Sequence, residues 1–181
     1  MSTPTAFDRA LVAARAGDAS AWGELYDLVA PRALAYLRRQ RLRDAENVLG
    51  EVLLQVVRDI ASFTGDEADF RAWVLSIAHH RMIDATRHDA RRPADPTTND
   101  AIERAVNGYQ DPGLHADDGS DLDGMLAGLT DDQRTVVALR VVGGLGLDEV
   151  AAIMGRSFDA VASMQYRALG ALRAQLGVDA S

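Results

Sequence analysis

Cysteine and lysine are both absent from this chain of 181 residues. Without cysteine the protein has neither disulfide bonds nor thiolate metal sites. No apolar run reaches the roughly 18 residues that a membrane-spanning helix needs, and the N-terminus lacks the basic and then apolar pattern of a secretion signal. We therefore expect a soluble cytoplasmic protein without membrane insertion.

The negative charge of the chain is concentrated in one segment. The formal net charge is -8, of which residues 94–127 carry -7, whereas residues 1–93 are neutral and residues 128–181 carry -1. Nucleic-acid binding depends on basic side chains that displace counterions from phosphates. An overall acidic chain argues against such a partner, but this distribution leaves both ends able to approach DNA.

Residues 147–176 have the pattern of a helix, a glycine turn and a second helix. Val150, Ile153 and Val161 fall where the two helices would bury side chains against each other, and Gly155 supplies the turn. This pattern is typical of a helix-turn-helix, which places its second helix in a DNA groove. Any tight helical hairpin needs the same residue types, so packing alone also explains the pattern.

A second helix pattern precedes it by about a hundred residues. Apolar residues recur there at intervals of three and four, which predicts one buried stripe. They are Ala45, Val48, Leu49, Val52, Leu53, Val56, Val57 and Ile60. The other side carries Asp44, Glu46, Asn47, Glu51, Gln55, Arg58 and Asp59. Such a polar side is either a solvated face or a docking surface for a partner.

A further apolar stripe, from Phe70 to Ile77, leads into the most basic stretch of the chain, residues 79–92. On a helix its arginines would form a narrow positive ridge that fits a phosphate backbone. The same residues also suit a solvated helix end, where Arg91 and Arg92 complement the helix dipole.

Turn-forming residues separate two helical regions. Residues 92–100 and 108–119 are rich in proline, glycine and aspartate, which indicates a linker. After it, Thr130 and Gln133 form a capping box at the start of a helix. The sequence thus predicts an all-α fold with two small helical domains, at 6–93 and 122–178, joined by an acidic linker at 94–121. The second domain contains the helix-turn-helix.

Together these segments resemble the extracytoplasmic-function (ECF, group 4) sigma factors of bacterial RNA polymerase. The resemblance is carried by Asp44-Ala45-Glu46-Asn47-Val48-Leu49-Gly50-Glu51, by Phe70-Arg71-Ala72-Trp73-Val74, by the acidic linker and by residues 129–176. It implies a transcription initiation factor without enzymatic activity or cofactor. Its implied partners are core RNA polymerase, promoter DNA and an anti-sigma factor.

The resemblance also implies roles for individual residues. The acidic helix would bind the polymerase through Asp44, Glu46, Asn47, Glu51 and Gln55. The loop before Phe70 would take up a base flipped out of the non-template strand, which costs a few kcal/mol of stacking. The basic ridge would contact the promoter element nearest the start site. These two regions contribute Thr64, Asp66, Arg71, His80, Arg81, Arg87 and Arg91 as DNA-binding residues, whereas we expect Trp73 in the core.

The second helix of the helix-turn-helix departs from the family pattern. Ala162 and Met164 stand where the family usually has a basic or amide side chain and an arginine, and each lost cation weakens DNA binding by about 1–3 kcal/mol. Hydrogen bonds to DNA would come instead from Arg156, Ser163, Gln165, Tyr166 and Arg167. The alternative is a divergent sigma-like regulator whose C-terminal domain binds protein rather than the distal promoter element.

Two other classes remain open. A two-domain transcription regulator that never binds polymerase would use the same helix-turn-helix but would leave the acidic helix unexplained. An enzyme or metal protein would rely on His79, His80 and His88, but adjacent side chains on a helix point about 100° apart, so His79 and His80 share a metal only with difficulty.

Overall fold

The computed structural model describes residues 4–91 and 124–175, and all regular structure in these ranges is helical. The helices are α1 (Ala6–Arg15), α2 (Ala19–Arg38), α3 (Ala45–Asp59), α4 (Glu67–Arg91), α5 (Asp131–Val141), α6 (Leu147–Met154) and α7 (Phe158–Gln175). The predicted all-α class is confirmed. The linker predicted at 94–121 lies outside the described residues, so both domain boundaries stay predictions.

Local capping interactions explain where several helices begin. Thr5 and Thr130 each form a capping box with the residue three positions later, and Asp18 and Asp44 accept hydrogen bonds from backbone N–H groups of the first turn. These side chains satisfy donors that have no partner inside the helix. The capping box predicted at Thr130 is therefore present.

An aromatic cluster lies in the core of the first four helices. Phe70 is completely buried, and its ring centroid lies 5.4 Å from that of Phe7, 5.2 Å from that of Phe63 and 5.7 Å from that of Trp73. Offset and tilted ring pairs at such separations add to the stabilisation that burial gives. Trp73 packs against the core, as the sequence predicts.

The C-terminal helices form the predicted helix-turn-helix. Val150 and Val161 are completely buried between α6 and α7, and Ile153 is 8% exposed. Gly155 ends α6 in the left-handed conformation, with φ of 60°. Because glycine has no Cβ, it adopts this conformation without strain, and the chain turns directly into α7.

The two helical regions pack against each other. Buried residues of α2, α3 and α4 form one continuous cluster with those of α5 and α6. Polar contacts cross the boundary as well: Thr135 donates a hydrogen bond to Gln40 over 3.1 Å, and Arg41 donates to the carbonyl of Ala127 over 2.8 Å. The described parts of the chain therefore adopt a compact arrangement.

A buried histidine lies close to this boundary. His79 is 6% exposed, and its Nδ1 lies 2.9 Å from the hydroxyl of Tyr36, which is completely buried. The pKa of His79 is lowered to about 4, mainly by burial and also by the neighbouring His80, whereas Asp132 opposes the shift. His79 is therefore neutral near pH 7.

We expect the free energy of unfolding to decrease on acidification because of His79. In the unfolded chain the pKa of histidine returns to about 6.5, so the unfolded state binds the proton first, and stability is lost as the pH falls from there toward the folded pKa. Between about pH 7 and pH 5 the loss from this group is about 2 kcal/mol. Urea titrations at both pH values check this, and an equal loss in His79→Gln would contradict it.

Candidate nucleic-acid and protein interfaces

One flank of α3 presents polar side chains in a row toward α4. Asn47 and Glu51 are exposed on this flank, and Gln55 follows one turn later and is half-buried. Asp44 lies at the start of the row, where its carboxylate caps the helix by accepting a hydrogen bond from Asn47 N over 2.8 Å. The structure thus brings four of the predicted polymerase-binding residues together.

Glu46 lies on a different side of the same helix. Its carboxylate accepts hydrogen bonds from the Arg38 guanidinium over 2.7 and 3.0 Å. The hydrogen bonds from Arg38 lower the pKa of Glu46 below its usual value. Because both side chains are exposed, such an ion pair contributes little to stability.

A groove of about 450 Å³ runs between α3 and α4 beside this flank. Its lining residues are mainly acidic or polar: Leu42, Arg43, Asp44, Asn47, Val48, Glu51, Asp84, Ala85, His88 and Asp89. Four of them are carboxylates, against one arginine and one histidine. The groove is therefore suited to a basic or hydrogen-bonding partner rather than to phosphate.

Arg81 connects the polar flank of α3 with the basic end of α4. Its Nε and Nη2 donate hydrogen bonds to Oε1 of Gln55 over 3.0 and 2.8 Å. Its Nη1 lies 4.0 Å from a carboxylate oxygen of Glu51. A predicted DNA-binding residue thus contacts two predicted polymerase-binding residues.

The exposed side of α4 carries the other basic residues of the ridge. His80, Arg87 and Arg91 are all exposed, and their spacing of seven and four residues places them on one side of the helix. His80 Nδ1 lies 2.8 Å from the carbonyl of Ser76, within its own helix. These three residues share one side of α4 with the exposed Asp84, so this side is basic but interrupted by one carboxylate.

Arg71 lies apart from this surface. It pairs with Glu67 one turn earlier on α4, and it lines a small cavity with Val29 and Arg32 of α2. Its spacing from Arg81 and its contacts with α2 place it on another side of the helix. The structure therefore does not bring Arg71 together with the basic ridge.

The loop before α4 is fixed by a reciprocal cap. The carboxylate of Asp66 accepts hydrogen bonds from the N–H groups of Ala68 and Asp69, and Asp69 accepts one from Asp66 N over 2.9 Å. Gly65 has φ of 144°, and a Cβ there would lie 2.6 Å from the Asp69 carboxylate. Thr64 is exposed just before this cap. Asp66 is thus a structural cap at the place predicted to contact DNA.

The exposed face of α7 carries three of the predicted C-terminal DNA contacts. Ser163, Tyr166 and Arg167 are exposed, and Tyr166 is 80% exposed. Ala162 lies among them on this face, where all four line one shallow depression. Met164, in contrast, packs against the hydrophobic core.

Two further predicted contacts are engaged within the domain. Gln165 accepts a hydrogen bond from Arg140 Nε over 3.1 Å, which turns it toward α5. Arg156 lies at the turn between α6 and α7, where its guanidinium is 3.3 Å from Asp132. The Arg156 side chain is about half exposed, so only part of it can contact a ligand.

An apolar surface that the sequence did not predict lies between α2 and α3. Leu54 and Val57 of α3 are 65% and 51% exposed, and Tyr26 of α2, which is 51% exposed, shares a groove with Val57. Val57 was expected in the buried stripe, and that placement is wrong. A groove of about 310 Å³ lies between these helices. The apolar positions of α3 cover more of the helix circumference than one buried stripe needs. This width is the feature of the sequence that indicates an exposed apolar surface.

In residues 4–91 and 124–175, no three histidine or acidic side chains converge as a metal site would require. The same ranges contain no helix long and apolar enough to cross a membrane. The Nδ1 of His79 is hydrogen-bonded with the Tyr36 hydroxyl, whereas His80 is exposed to solvent. These residues therefore form no shared site.

The fold and these surfaces define a two-part helical protein with a helix-turn-helix and a separate basic ridge, as in transcription initiation factors. Comparison with known families agrees. Residues 23–92 match the family model of Sigma-70 region 2, and residues 120–172 match Sigma-70, region 4. The chain belongs to the ECF RNA polymerase sigma factors. Such factors are not enzymes, and they direct RNA polymerase to promoters.

Several curated relatives support the family. ShbA of Streptomyces griseus is 32% identical over 169 residues, which cover 87% of this chain and 88% of ShbA. SigD of Mycobacterium tuberculosis is 31% identical over 93% of this chain and 83% of its own length. BldN of Streptomyces coelicolor is 30% identical over 92% of this chain, which spans 64% of the length of BldN.

Two solved structures share the fold. The sigma factor RpoE of Bartonella quintana, in complex with the anti-sigma factor NepR, matches with a TM-score of 0.67 and 21% identity over 87% of this chain and 98% of RpoE. CnrH, in complex with the cytosolic domain of CnrY, matches with a TM-score of 0.64 and 22% identity over 94% of this chain and 97% of CnrH. These similarities concern the fold alone.

Proposed function

We propose that this chain binds core RNA polymerase through the α3 flank, opens promoter DNA with α4 and the loop before it, and contacts the distal promoter element with α7. The observation that carries this proposal is the adjacency of an acidic polar flank and a basic ridge on neighbouring helices. Because polymerase and DNA are its partners, the protein acts in the cytoplasm.

The polymerase surface that we propose consists of Asp44, Asn47 and Glu51. These three residues lie in a row at the start of α3 and along it; Asn47 and Glu51 are exposed, and the ion pair of Glu51 with Arg81 is long, at 4.0 Å. Exposed polar side chains held on a rigid helix can form hydrogen bonds and ion pairs with little loss of conformational freedom. Glu46 already pairs with Arg38, so it contributes less to this surface.

The proposed promoter-opening surface combines His80, Arg87 and Arg91 with the loop at Thr64. Basic side chains along one side of a helix can follow a phosphate backbone, since each neutralised phosphate releases counterions. The rigid cap formed by Asp66 and Asp69 keeps the loop in one conformation. A preformed loop favours capture of a flipped base because binding then requires little additional ordering.

On α7, the exposed Ser163, Tyr166 and Arg167 form the proposed contact with the distal element. Met164 packs within the domain, so its apolar side chain does not enlarge an exposed patch. This packing favours DNA binding over the alternative of a protein-binding C-terminal domain. Among the described residues that line this depression, Arg167 is the one cation, so the distal contact is weak.

Replacing Arg167 by alanine is expected to weaken promoter binding by the holoenzyme about 5- to 10-fold, because one phosphate or base contact is lost. The decrease should disappear on a promoter fragment that lacks the distal element. Arg9→Ala in α1 removes the same charge from an exposed position and serves as the control. Equal binding by Arg167→Ala and the wild type on the full promoter would favour the protein-binding alternative.

The experiment that tests the whole function is transcription from a promoter library with purified core polymerase. The expected result is initiation at a small set of related promoters that depends on the added chain. Failure of the chain to co-purify with core polymerase at low salt would instead support a regulator that acts without polymerase.

We also propose that an anti-sigma factor binds this chain. Both structural neighbours support this proposal, because RpoE is bound to the anti-sigma factor NepR and CnrH to the cytosolic domain of CnrY. The exposed apolar residues Tyr26, Leu54 and Val57 are candidates for such a contact. Co-expression with a candidate partner should protect these residues from solvent in hydrogen exchange.

A further inference from the structure

Gln55 and Arg81 form a polar link between α3, which carries the proposed polymerase surface, and α4, which carries the proposed promoter-opening surface. Both guanidinium contacts converge on one atom, Oε1 of Gln55, over 3.0 and 2.8 Å. The residues are 26 positions apart and belong to α3 and α4. Gln55 is half-buried, whereas Asn47 and Glu51 on the same flank are exposed. Gln55 is therefore the member of the flank least available to polymerase.

The chemistry of this link preserves the charge of Arg81. Arginine has five N–H donors, and the two contacts use only part of them, so the remaining donors can still reach an oxygen ligand. The carboxamide of Gln55 is neutral, so it orients the guanidinium without cancelling its charge. Glu51 lies at 4.0 Å, beyond hydrogen-bond distance, and is exposed to solvent, so it screens that charge only in part.

We propose that Gln55 is a positioning residue for promoter engagement: it holds the Arg81 guanidinium in place for a DNA phosphate. A long arginine side chain otherwise loses considerable rotamer freedom when it binds, and a preformed contact removes much of that cost. Gln55 thus acts through Arg81 on the DNA side of the protein rather than as a polymerase contact. The inference rests on the proposed function and refines it at this one position.

The test compares Gln55→Ala, Gln55→Glu and Arg81→Ala in the holoenzyme. Gln55→Ala removes the positioning contact, whereas Gln55→Glu keeps an acceptor but neutralises Arg81. We expect open-complex formation at saturating polymerase to fall about 5-fold in each variant, and the slope of log affinity against log salt to decrease by about 1, as for one lost phosphate contact. The double variant Gln55→Ala with Arg81→Ala should behave like Arg81→Ala alone.

Asn47→Ala is the matched control, because it truncates another amide on the same flank of α3. It should weaken polymerase binding and leave the salt dependence of promoter binding unchanged. If Gln55→Ala instead behaves like Asn47→Ala, or if its effect adds to that of Arg81→Ala, the positioning role is overturned. If the wild-type chain itself does not bind polymerase, the proposed function is contradicted, and the comparison of variants no longer tests the role of Gln55.

Discussion

Replacing Glu51 by arginine is expected to weaken binding to core polymerase by at least 100-fold, or about 3 kcal/mol. Glu51 is exposed in the middle of the polar flank of α3, between Asn47 and Gln55. The substitution changes the local charge by two units and converts attraction for a basic partner into repulsion, and like charges brought together at an interface cost several kcal/mol. The new side chain would also face Arg81, which now lies 4.0 Å from Glu51.

Equilibrium binding of labelled protein to core polymerase, measured at two salt concentrations, checks this expectation. Glu24→Arg is the control, because Glu24 is exposed on α2 and the charge change is identical. That variant should bind within about 2-fold of the wild type, since surface substitutions away from an interface have small effects. Equal affinities of Glu51→Arg and the wild type would show that the polymerase binds another surface.

Phe70→Ala is expected to lower the free energy of unfolding by about 3–5 kcal/mol, which is a large part of the 5–15 kcal/mol typical of a domain. Phe70 is completely buried and contacts the rings of Phe7, Phe63 and Trp73. Removing its ring takes away apolar burial and leaves a cavity between α1, α4 and the loop at Phe63. The loop that carries Thr64 loses its support at the same time.

Urea unfolding followed by tryptophan fluorescence measures this effect, because Trp73 lies in the same cluster. Tyr166→Ala also removes an aromatic ring, but from a side chain that is 80% exposed, so its midpoint should stay near that of the wild type. A loss below about 1 kcal/mol in Phe70→Ala would mean that neighbouring side chains fill the cavity, contrary to close packing in the core.

The helices and their ends could be predicted from the sequence because their causes are local. The capping box at Thr130, the turn at Gly155 and the burial of Val150 and Val161 all follow from residues within one or two helical turns. The misplacement of Val57 has a different cause. Periodicity shows which positions are apolar, but only the neighbouring helices decide how much of a wide apolar side is covered.

The arrangement of the candidate site could be predicted only in part. The sequence indicates that Asn47, Glu51 and Gln55 share one flank of α3, but it does not show that Gln55 meets Arg81 or that Glu46 meets Arg38. These pairs depend on how α3 packs against α4 and α2, which is decided by side-chain shapes distant in sequence. Arg71 lies apart from the ridge for a local reason that the sequence already contains: at about 100° per residue its spacing from His80 places the two side chains on opposite sides of α4.

Gly143 lies where the two helical regions approach each other closely, and it has no side chain. A Cβ at Gly143 would lie 2.8 Å from Leu75 of α4 and 2.5 Å from the carbonyl of Leu139. A Cβ at Gly143 would therefore clash with the local backbone at Leu139 and would force the Leu75 side chain to shift. The missing Cβ thus lets α4 and the end of α5 come within van der Waals distance at this point.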